Sequence, residues 1–277
     1  MMENHYLPDK YSTMNRNSAR RILGLYLHYL YSMKRNPARI IEILIWPVFE
    51  IILFGLLAAS NTTSSTDTAH LTLILLTGVI YWNFTARIIQ ESVAQFIDDF
   101  LSKNIQNILI APIAFPELLW GIILASMTKL VLSTLSLAAI LLIVFPAFFA
   151  TVGIASLVWV FLLGFFGVSL SLVAIALIFM FGERVSFAGW MISTIVQVFS
   201  LVFYKREALP GLLYVLSYAV PSSYVFESIR EYRPGYFAMT GGLLIPFALS
   251  IGYFGIGFVL SRASYVWAQK TGALAKL

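Results

Sequence analysis

Long apolar runs constrain the fold of this chain more than any other feature of its sequence. One of them, ARIIEILIWPVFEIILFGLLAAS at residues 38–60, exceeds the roughly 20 residues that a helix needs to cross a hydrocarbon core. The runs do not alternate polar and apolar residues over about ten positions, as the strands of a membrane barrel do. Because only helices and closed barrels can satisfy every backbone group in lipid, the runs predict an all-α integral membrane protein.

Six transmembrane helices are predicted. They lie at about 38–60, 70–90, 117–145, 152–181, 185–204 and 241–262. The composition agrees, because 60% of the 277 residues are hydrophobic and only 11% are charged. We expect residues 1–277 to form one transmembrane domain. Residues 1–39 are polar and basic and lack a small-residue cleavage pattern, so no signal peptide is predicted.

The distribution of basic residues predicts the orientation. The connections at 60–70 and 146–151 contain no Lys or Arg, whereas many basic residues precede the first span: Lys10, Arg16, Arg20, Arg21, Lys34, Arg35 and Arg39. Basic residues concentrate on the cytoplasmic side of a membrane protein. We therefore expect a multi-pass membrane protein with both termini in the cytoplasm. The connection at 205–240 is placed outside although it contains Lys205 and Arg206.

Three segments between or before these spans have a different character. Residues 16–36 mix basic and apolar side chains, which is typical of an interfacial helix at the headgroup level. Residues 92–110 are amphipathic, with apolar and polar side chains on opposite faces of a helix. Residues 209–231 contain an apolar run of only about a dozen residues, too short to cross the membrane, which favours an extracytoplasmic re-entrant helical hairpin.

Motifs for enzymatic chemistry are missing from the sequence. It contains no phosphate-binding GxxxxGK[ST] loop, no HExxH and no GxSxG. It has no Cys, and its three His residues are scattered, so we predict neither a catalytic residue nor a metal site in this chain. The net charge of +5 is explained by membrane orientation rather than by binding of nucleic acid.

Two ionisable residues fall inside predicted spans. Glu50 and Lys129 each lie about 12 residues from the cytoplasmic end of a span, which places both roughly 18 Å deep at 1.5 Å per residue. Charges at such depth are costly and usually face protein or water. We hypothesise that the two side chains pair or line one polar cavity. The alternative is that water or a hydroxyl group satisfies each of them separately.

Three local patterns complete the sequence evidence. They are MKRNPARIIEILIWPVFEIILFG at 33–55, FLSKNIQNILIAPIAFPELLWG at 100–121 and LPGLLYVLSYAVPSSYVFESIR at 209–230. Taken in order, they resemble the membrane subunit of type-2 ABC exporters, a family that includes O-antigen, teichoic-acid, nodulation-factor and drug exporters. The third pattern is similar to the family's proline-spaced signature, except that Ser222 stands where an apolar residue is usual.

The resemblance implies an exporter permease of the bacterial cytoplasmic membrane. It would work as a homodimer with two separate ABC ATPase subunits, which bind ATP and Mg. Residues 92–110 would be the coupling helix that docks on the ATPase, through Phe96, Asp98, Asp99, Ser102, Lys103, Gln106 and Asn107. The hairpin would close a conduit built from spans one, two and five, with a gate at Pro210, Pro221, Tyr224, Glu227 and Arg230. Arg20 and Arg21 would flank the cytoplasmic entrance.

The implied substrate is a bulky amphipathic molecule in a lipid environment, namely a lipid-linked glycan, a lipid or a drug. Two other functions stay open on the residues alone. An ion-coupled secondary transporter would use midplane carboxylates, of which Glu50 is one, but no inverted repeat is found. A membrane-embedded transferase would need a cluster of acidic or histidine side chains, and the sequence has none.

Overall fold

The computed structural model describes residues 17–60, 65–102, 104, 107–108, 111–144, 155–231 and 243–271. These residues form helices and turns without a strand, so the all-α fold class is confirmed for this part of the chain. The helices are α1 Ser18–Arg35, α2 Pro37–Ser60, α3 Ser65–Leu101, α4 Phe115–Val144, α5 Ala155–Phe181, α6 Ala188–Phe199, α7 Gly211–Ser217, α8 Pro221–Glu231 and α9 Leu244–Thr271. Short 3₁₀ turns occupy Gly182–Val185 and Arg206–Ala208.

Four of the described helices are long and apolar enough to cross a membrane, which confirms the transmembrane character. They are α2 over Pro37–Leu57, α4, α5 over Ser156–Phe181, and α9. The fifth predicted span contains α6, which has only 12 residues and is therefore about 18 Å long. Such a helix is too short to cross the hydrocarbon core alone. The expected count of six spans is therefore not confirmed.

Helix α3 corrects a predicted boundary. The sequence suggests a span ending near residue 90 and a separate amphipathic helix from 92, whereas α3 runs without a break through 37 residues to Leu101. Neither Gly nor Pro occurs between residues 79 and 101, so nothing in the chain interrupts the hydrogen-bond ladder. One helix about 55 Å long therefore connects the interior of the bundle to the segment expected to dock a partner.

Helix α5 lies at the centre of the bundle. Within its most apolar window 72% of the residues are buried, compared with 22% in each of α2, α4 and α9. Two glycines allow its neighbours to approach closely. A Cβ on Gly167 would lie 2.9 Å from the carbonyl oxygen of Thr85 in α3, and one on Gly257 would lie 2.8 Å from that of Ser169. Small residues are a common means of close packing between membrane helices.

Helices α1 and α2 meet where the sequence predicts a helix start. Asn36 separates the two helices, and its side-chain oxygen accepts a hydrogen bond from the backbone N–H of Arg39 at 3.3 Å. Pro37 is the first residue of α2. An Asn cap followed by Pro at the first helical position explains this boundary. The predicted helix at 16–36 is present over Ser18–Arg35 and packs against α4, with Leu25 and Tyr29 buried.

The segment at 209–231 folds into two short helices, α7 and α8. Pro210 directly precedes α7, and Pro221 is the first residue of α8. Proline fits both places because the first turn of a helix leaves its N–H groups without an intrahelical partner. Helix α8 packs against α5 and α9. This fixes the two helices at one end of the bundle, which we call the hairpin end; the opposite end, where α1 lies, is the α1 end.

Candidate functional site

The most concentrated charge in the described structure surrounds Glu91 of α3. Its carboxylate lies 3.1 Å from Nζ of Lys129 in α4, 3.8 Å from Nε of Arg39 in α2 and 3.9 Å from Nη1 of Arg87 in α3. Glu91, Arg87 and Lys129 are each at most 3% exposed. One buried anion therefore connects three helices through three cations. We call these four residues the Glu91 cluster.

The Glu91 cluster corrects the expected pair of Glu50 and Lys129. Lys129 forms its ion pair with Glu91, while the carboxylate of Glu50 accepts hydrogen bonds from Trp46 Nε1 at 3.0 Å and Asn83 Nδ2 at 3.2 Å. The reason is the continuity of α3, which brings Glu91 to the level of Lys129. The two side chains do not line one cavity either, because Glu50 and Lys129 belong to the linings of two different cavities.

Glu50 faces a cavity between α2, α3 and α6. The cavity measures about 100 Å³ and is lined on the α3 side by Trp82, Asn83 and Arg87. Helix α6 contributes the ring of Trp190 and the polar side chains of Ser193, Thr194 and Gln197. Two ring contacts border this region: Trp46 and Trp190 meet edge to face at 5.7 Å, and Phe54 and Phe203 stack at 4.9 Å. We call it the aromatic cavity.

A second, smaller cavity of about 80 Å³ lies at the α1 end. Its lining includes Arg39, Lys129, Gln95 and Asp98. Thus cavities lie on both sides of the Glu91 cluster, which lines each of them with at least one cation. Residues of the cluster therefore form part of the wall of both cavities.

The expected coupling residues divide into buried and exposed groups. Phe96 is fully buried in the core, and Asp99 is only 4% exposed, so neither presents a surface to a partner in this structure. Asp98, Ser102 and Asn107 are exposed, and their role in docking stays a prediction. Lys103 and Gln106 lie outside the described residues.

Asp99 instead attaches the end of α3 to α1. Its Oδ1 lies 2.7 Å from Nε2 of His28 and accepts a hydrogen bond from Asn104 Nδ2 at 3.0 Å. The pKa of His28 is raised above its usual value, first because of the hydrogen bond to Asp99, whereas partial burial acts in the opposite direction. The protonated ring is therefore favoured in the folded protein.

The two arginines expected at an entrance have different surroundings. Arg20 is exposed. Arg21 donates from Nε to Glu117 Oε2 at 2.7 Å and from Nη2 to Glu117 Oε1 at 2.5 Å. Glu117 also accepts the backbone N–H of Ala114, so it caps the start of α4. Arg21 therefore fastens α1 to α4 in addition to lining that end of the bundle.

At the hairpin end, Arg206 is the central residue, although the sequence did not single it out. Its guanidinium binds both oxygens of Glu227, at 2.8 and 2.6 Å, and also donates to Ser217 and Ser223. It lies 3.9 Å from the ring centroid of Tyr218. Arg206 is 4% exposed. These contacts connect the 3₁₀ turn to both short helices.

The other residues that the sequence analysis expects at a gate lie around this network. Tyr224 donates its hydroxyl to the carbonyl of Tyr218 at 3.0 Å, and its ring centroid is 5.1 Å from the Arg206 guanidinium carbon. Arg230 donates to the carbonyl of Leu201 at 2.5 Å. Leu201 has a φ of 59°, a left-handed conformation that a residue with a branched side chain seldom adopts. The hairpin is thus held to the end of α6 by a buried polar network.

Sequence reasoning missed Glu91, which has three ionic contacts, and Arg206, which donates four side-chain hydrogen bonds. The sequence pattern puts Glu91 at the boundary between two predicted segments, whereas it lies inside one long helix. Arg206 falls in a predicted connection between spans. A usable signal existed for Arg206, because Glu227 and three tyrosines follow it within the predicted hairpin. Within the described ranges no three His, Asp or Glu side chains converge to offer a metal site.

Comparison with known proteins adds no relative. Neither a protein-family model nor a curated protein matches this chain.

Proposed function

We propose that this chain is the permease subunit of an ATP-driven exporter, working as a homodimer with two separate ATPase subunits. One observation carries the proposal: α3 is a single helix that lines the aromatic cavity and ends at an exposed polar tip. That tip, which we call the α3 tip, presents Asp98 on the helix and Ser102 in the turn directly after it. Asn107, further along the chain, is also exposed. A force applied to the α3 tip reaches the cavity wall without passing through a flexible joint.

The attachments of α3 support a role in transmission. Asp99 binds His28 of α1, and Glu91 binds Arg39 of α2 and Lys129 of α4. A displacement of the α3 tip is therefore shared with three other helices through charged contacts. ATP would act by its greater affinity for the closed pair of ATPase subunits, which shifts the population of permease conformations.

The same proposal includes the arrangement of the helices relative to the membrane. We place the α1 end in the cytoplasm, α3 as the second span, α6 and its following turn as part of a fifth, and the α7–α8 pair as a re-entrant hairpin on the outer side. The buried network of Arg206 supports this placement, since backbone ends at membrane depth need protein around them. The aromatic cavity lies between α2, α3 and α6, which matches the conduit implied for spans one, two and five.

An ion-coupled secondary transporter is the second candidate. The observation that favours it is the Glu91 cluster, because buried ionisable groups between two cavities are typical of ion and proton pathways. The two candidates differ in their energy source. A secondary transporter needs no nucleotide, whereas an exporter permease does not transport its substrate without its ATPase.

Purification from native membranes tests the proposal. We expect a tagged chain to retain an ATP-binding protein and Asp98→Arg to abolish the coupling of ATP hydrolysis to the permease, because a reversed charge at the α3 tip opposes docking. Glu207→Arg reverses another exposed carboxylate, near the hairpin, and serves as the matched control. Transport by the reconstituted chain alone, driven by an ion gradient, would refute the proposal.

A further inference from the structure

Helix α9 presents a groove on the outside of the bundle near the α1 end. Its level is fixed by Tyr265, whose ring centroid lies 5.0 Å from that of Phe115, the first residue of α4. Phe115 begins the turn in which Glu117 binds Arg21 of α1. The groove, which we call the α9 groove, has a volume of about 570 Å³, and its lining includes Phe258, Val259, Arg262, Val266, Trp267 and Lys270.

The length of α9 places the α9 groove at the boundary of the hydrocarbon core. Residues 244–261 contain no charged side chain, and as a helix they are about 27 Å long. This nearly equals the thickness of a bilayer core, which is roughly 30 Å. Arg262, the first charged residue after this stretch, therefore lies near the lipid headgroups. Trp267 is 45% exposed, and tryptophan is enriched at that level of a membrane.

Two cations line the α9 groove, and no anion accompanies them. Arg262 and Lys270 are both exposed. Neither forms an ion pair with another residue in the described part of the chain. No Asp or Glu occurs from residue 232 to residue 277. The α9 groove therefore attracts anions and repels cations.

The two cations lie at different depths. They are eight residues apart, which is about 12 Å along the helix, and Arg262 is the deeper one. With Val266 between them they follow one another at intervals of four residues, so all three lie on one face. A lipid phosphate held by Arg262 has the outer part of its headgroup near Lys270. That part is an ammonium group in phosphatidylcholine, which Lys270 repels, and an uncharged glycerol in phosphatidylglycerol.

We propose that the α9 groove binds one phospholipid with an anionic headgroup. Arg262 binds the phosphate, and Lys270 excludes headgroups that end in a cation. Phe258 and Val259, which line the deeper part of the groove, contact an acyl chain. A free phosphate ion would use the two cations but leave these apolar side chains uncovered, which favours the lipid. The inference requires α9 to cross the membrane, but it does not depend on the proposed ATPase.

Fluorescence quenching by brominated lipids tests the inference, because bromine quenches only a tryptophan close to it and Trp267 lines the groove. The full chain is reconstituted into vesicles that mix phosphatidylglycerol and phosphatidylcholine, with one of the two lipids brominated at a time. The difference between a protein and the same protein with Trp267→Phe gives the signal from the groove. We expect phosphatidylglycerol to be preferred about fivefold there, the effect of one basic residue near an anionic lipid.

Lys270→Gln should remove most of this preference, and Lys270→Glu should favour phosphatidylcholine instead. Lys34→Gln, at an exposed lysine of α1, removes the same charge from the same end of the bundle and should leave the preference unchanged. Because both lysines are exposed, these variants should melt at the temperature of the wild type. Equal quenching by the two lipids in the wild type would overturn the inference. So would an equal loss in Lys270→Gln and Lys34→Gln, which would indicate a diffuse attraction by net charge.

Discussion

At the scale of single residues, the stability of this protein depends on which buried charges form ion pairs with each other. Glu91 is the shared partner of Arg39, Arg87 and Lys129, and all of these residues except Arg39 are almost fully buried. Removing the shared anion leaves three cations close together, whereas removing one cation leaves the anion with two. The residues of the cluster should therefore differ in how much each contributes to the stability of the fold, although they share one site.

Replacement of Glu91 tests this asymmetry. Glu91→Gln should lower the free energy of unfolding by about 3–5 kcal/mol, the range seen when a buried charge loses its partner. Lys129→Met should cost less, because Glu91 keeps Arg39 and Arg87. Unfolding in mixed detergent measures both values, and Glu207→Gln, at an exposed carboxylate, is the control. A larger loss for Lys129→Met than for Glu91→Gln would contradict the shared-anion interpretation.

His28 gives the attachment of α1 a dependence on pH. Its folded-state pKa lies above the usual 6.5, so its stabilising effect is complete below pH 6.5 and is lost as the pH rises through the folded-state value. The wild type should therefore lose thermal stability as the pH rises from 6.5 through the folded-state pKa of His28. His28→Gln, which cannot be protonated, should lose less over the same interval. Parallel profiles for the two proteins would exclude a contribution of this ion pair.

At the scale of elements, close approach of helices decides the packing around α5. Gly257 of α9 lies against the backbone of Ser169. A Cβ on Gly255 of the same helix would meet no atom of another helix within 4 Å in the described part of the chain. Gly257→Ala should force α9 away from α5 and cost about 1–3 kcal/mol, a typical penalty for overpacking. Gly255→Ala should have no destabilising effect. The melting temperatures of the two variants, measured in one detergent, test this prediction. Equal values would show that close packing at Gly257 does not contribute to stability.

Arg206 holds the two helices of the hairpin through a paired hydrogen bond and a ring contact. Arg206→Lys keeps the charge but cannot reproduce either geometry. Amide hydrogen exchange in residues 211–231 should therefore become faster in this variant, with little change in α5. Lys205→Gln, at the exposed neighbour of Arg206, is the control. If exchange in the hairpin stays at the wild-type rate, Arg206 does not hold it.

The sequence predicted those elements whose signals are local. Apolar runs indicated α2, α4, α5 and α9, and Asn36 with Pro37 indicated the start of α2. The continuity of α3 was missed because a change from an apolar to an amphipathic pattern looks like a boundary even when nothing breaks the helix. The ion pair between Glu91 and Lys129 was missed for another reason. Packing between helices brings these two residues together, and a pattern along one helix does not specify that packing.

At the scale of the whole molecule, α3 connects features that would otherwise be independent. It runs from the aromatic cavity, past the Glu91 cluster, to the exposed α3 tip, and Asp99 fastens that tip to α1. A long unbroken helix attached at several levels is suited to transmit a displacement. The proposal that a separate ATPase supplies that displacement requires the α3 tip to face the cytoplasm.

Cysteine labelling of the α3 tip tests this requirement most directly, because the natural chain contains no cysteine to interfere. Ser102 is exposed, so a thiol introduced by Ser102→Cys should react readily with a membrane-impermeant maleimide. We predict labelling in inside-out membrane vesicles and not in intact cells, with a slower rate when the partner ATPase is bound than after it has been stripped away. Labelling in intact cells, or the same rate in stripped and unstripped vesicles, would contradict the account.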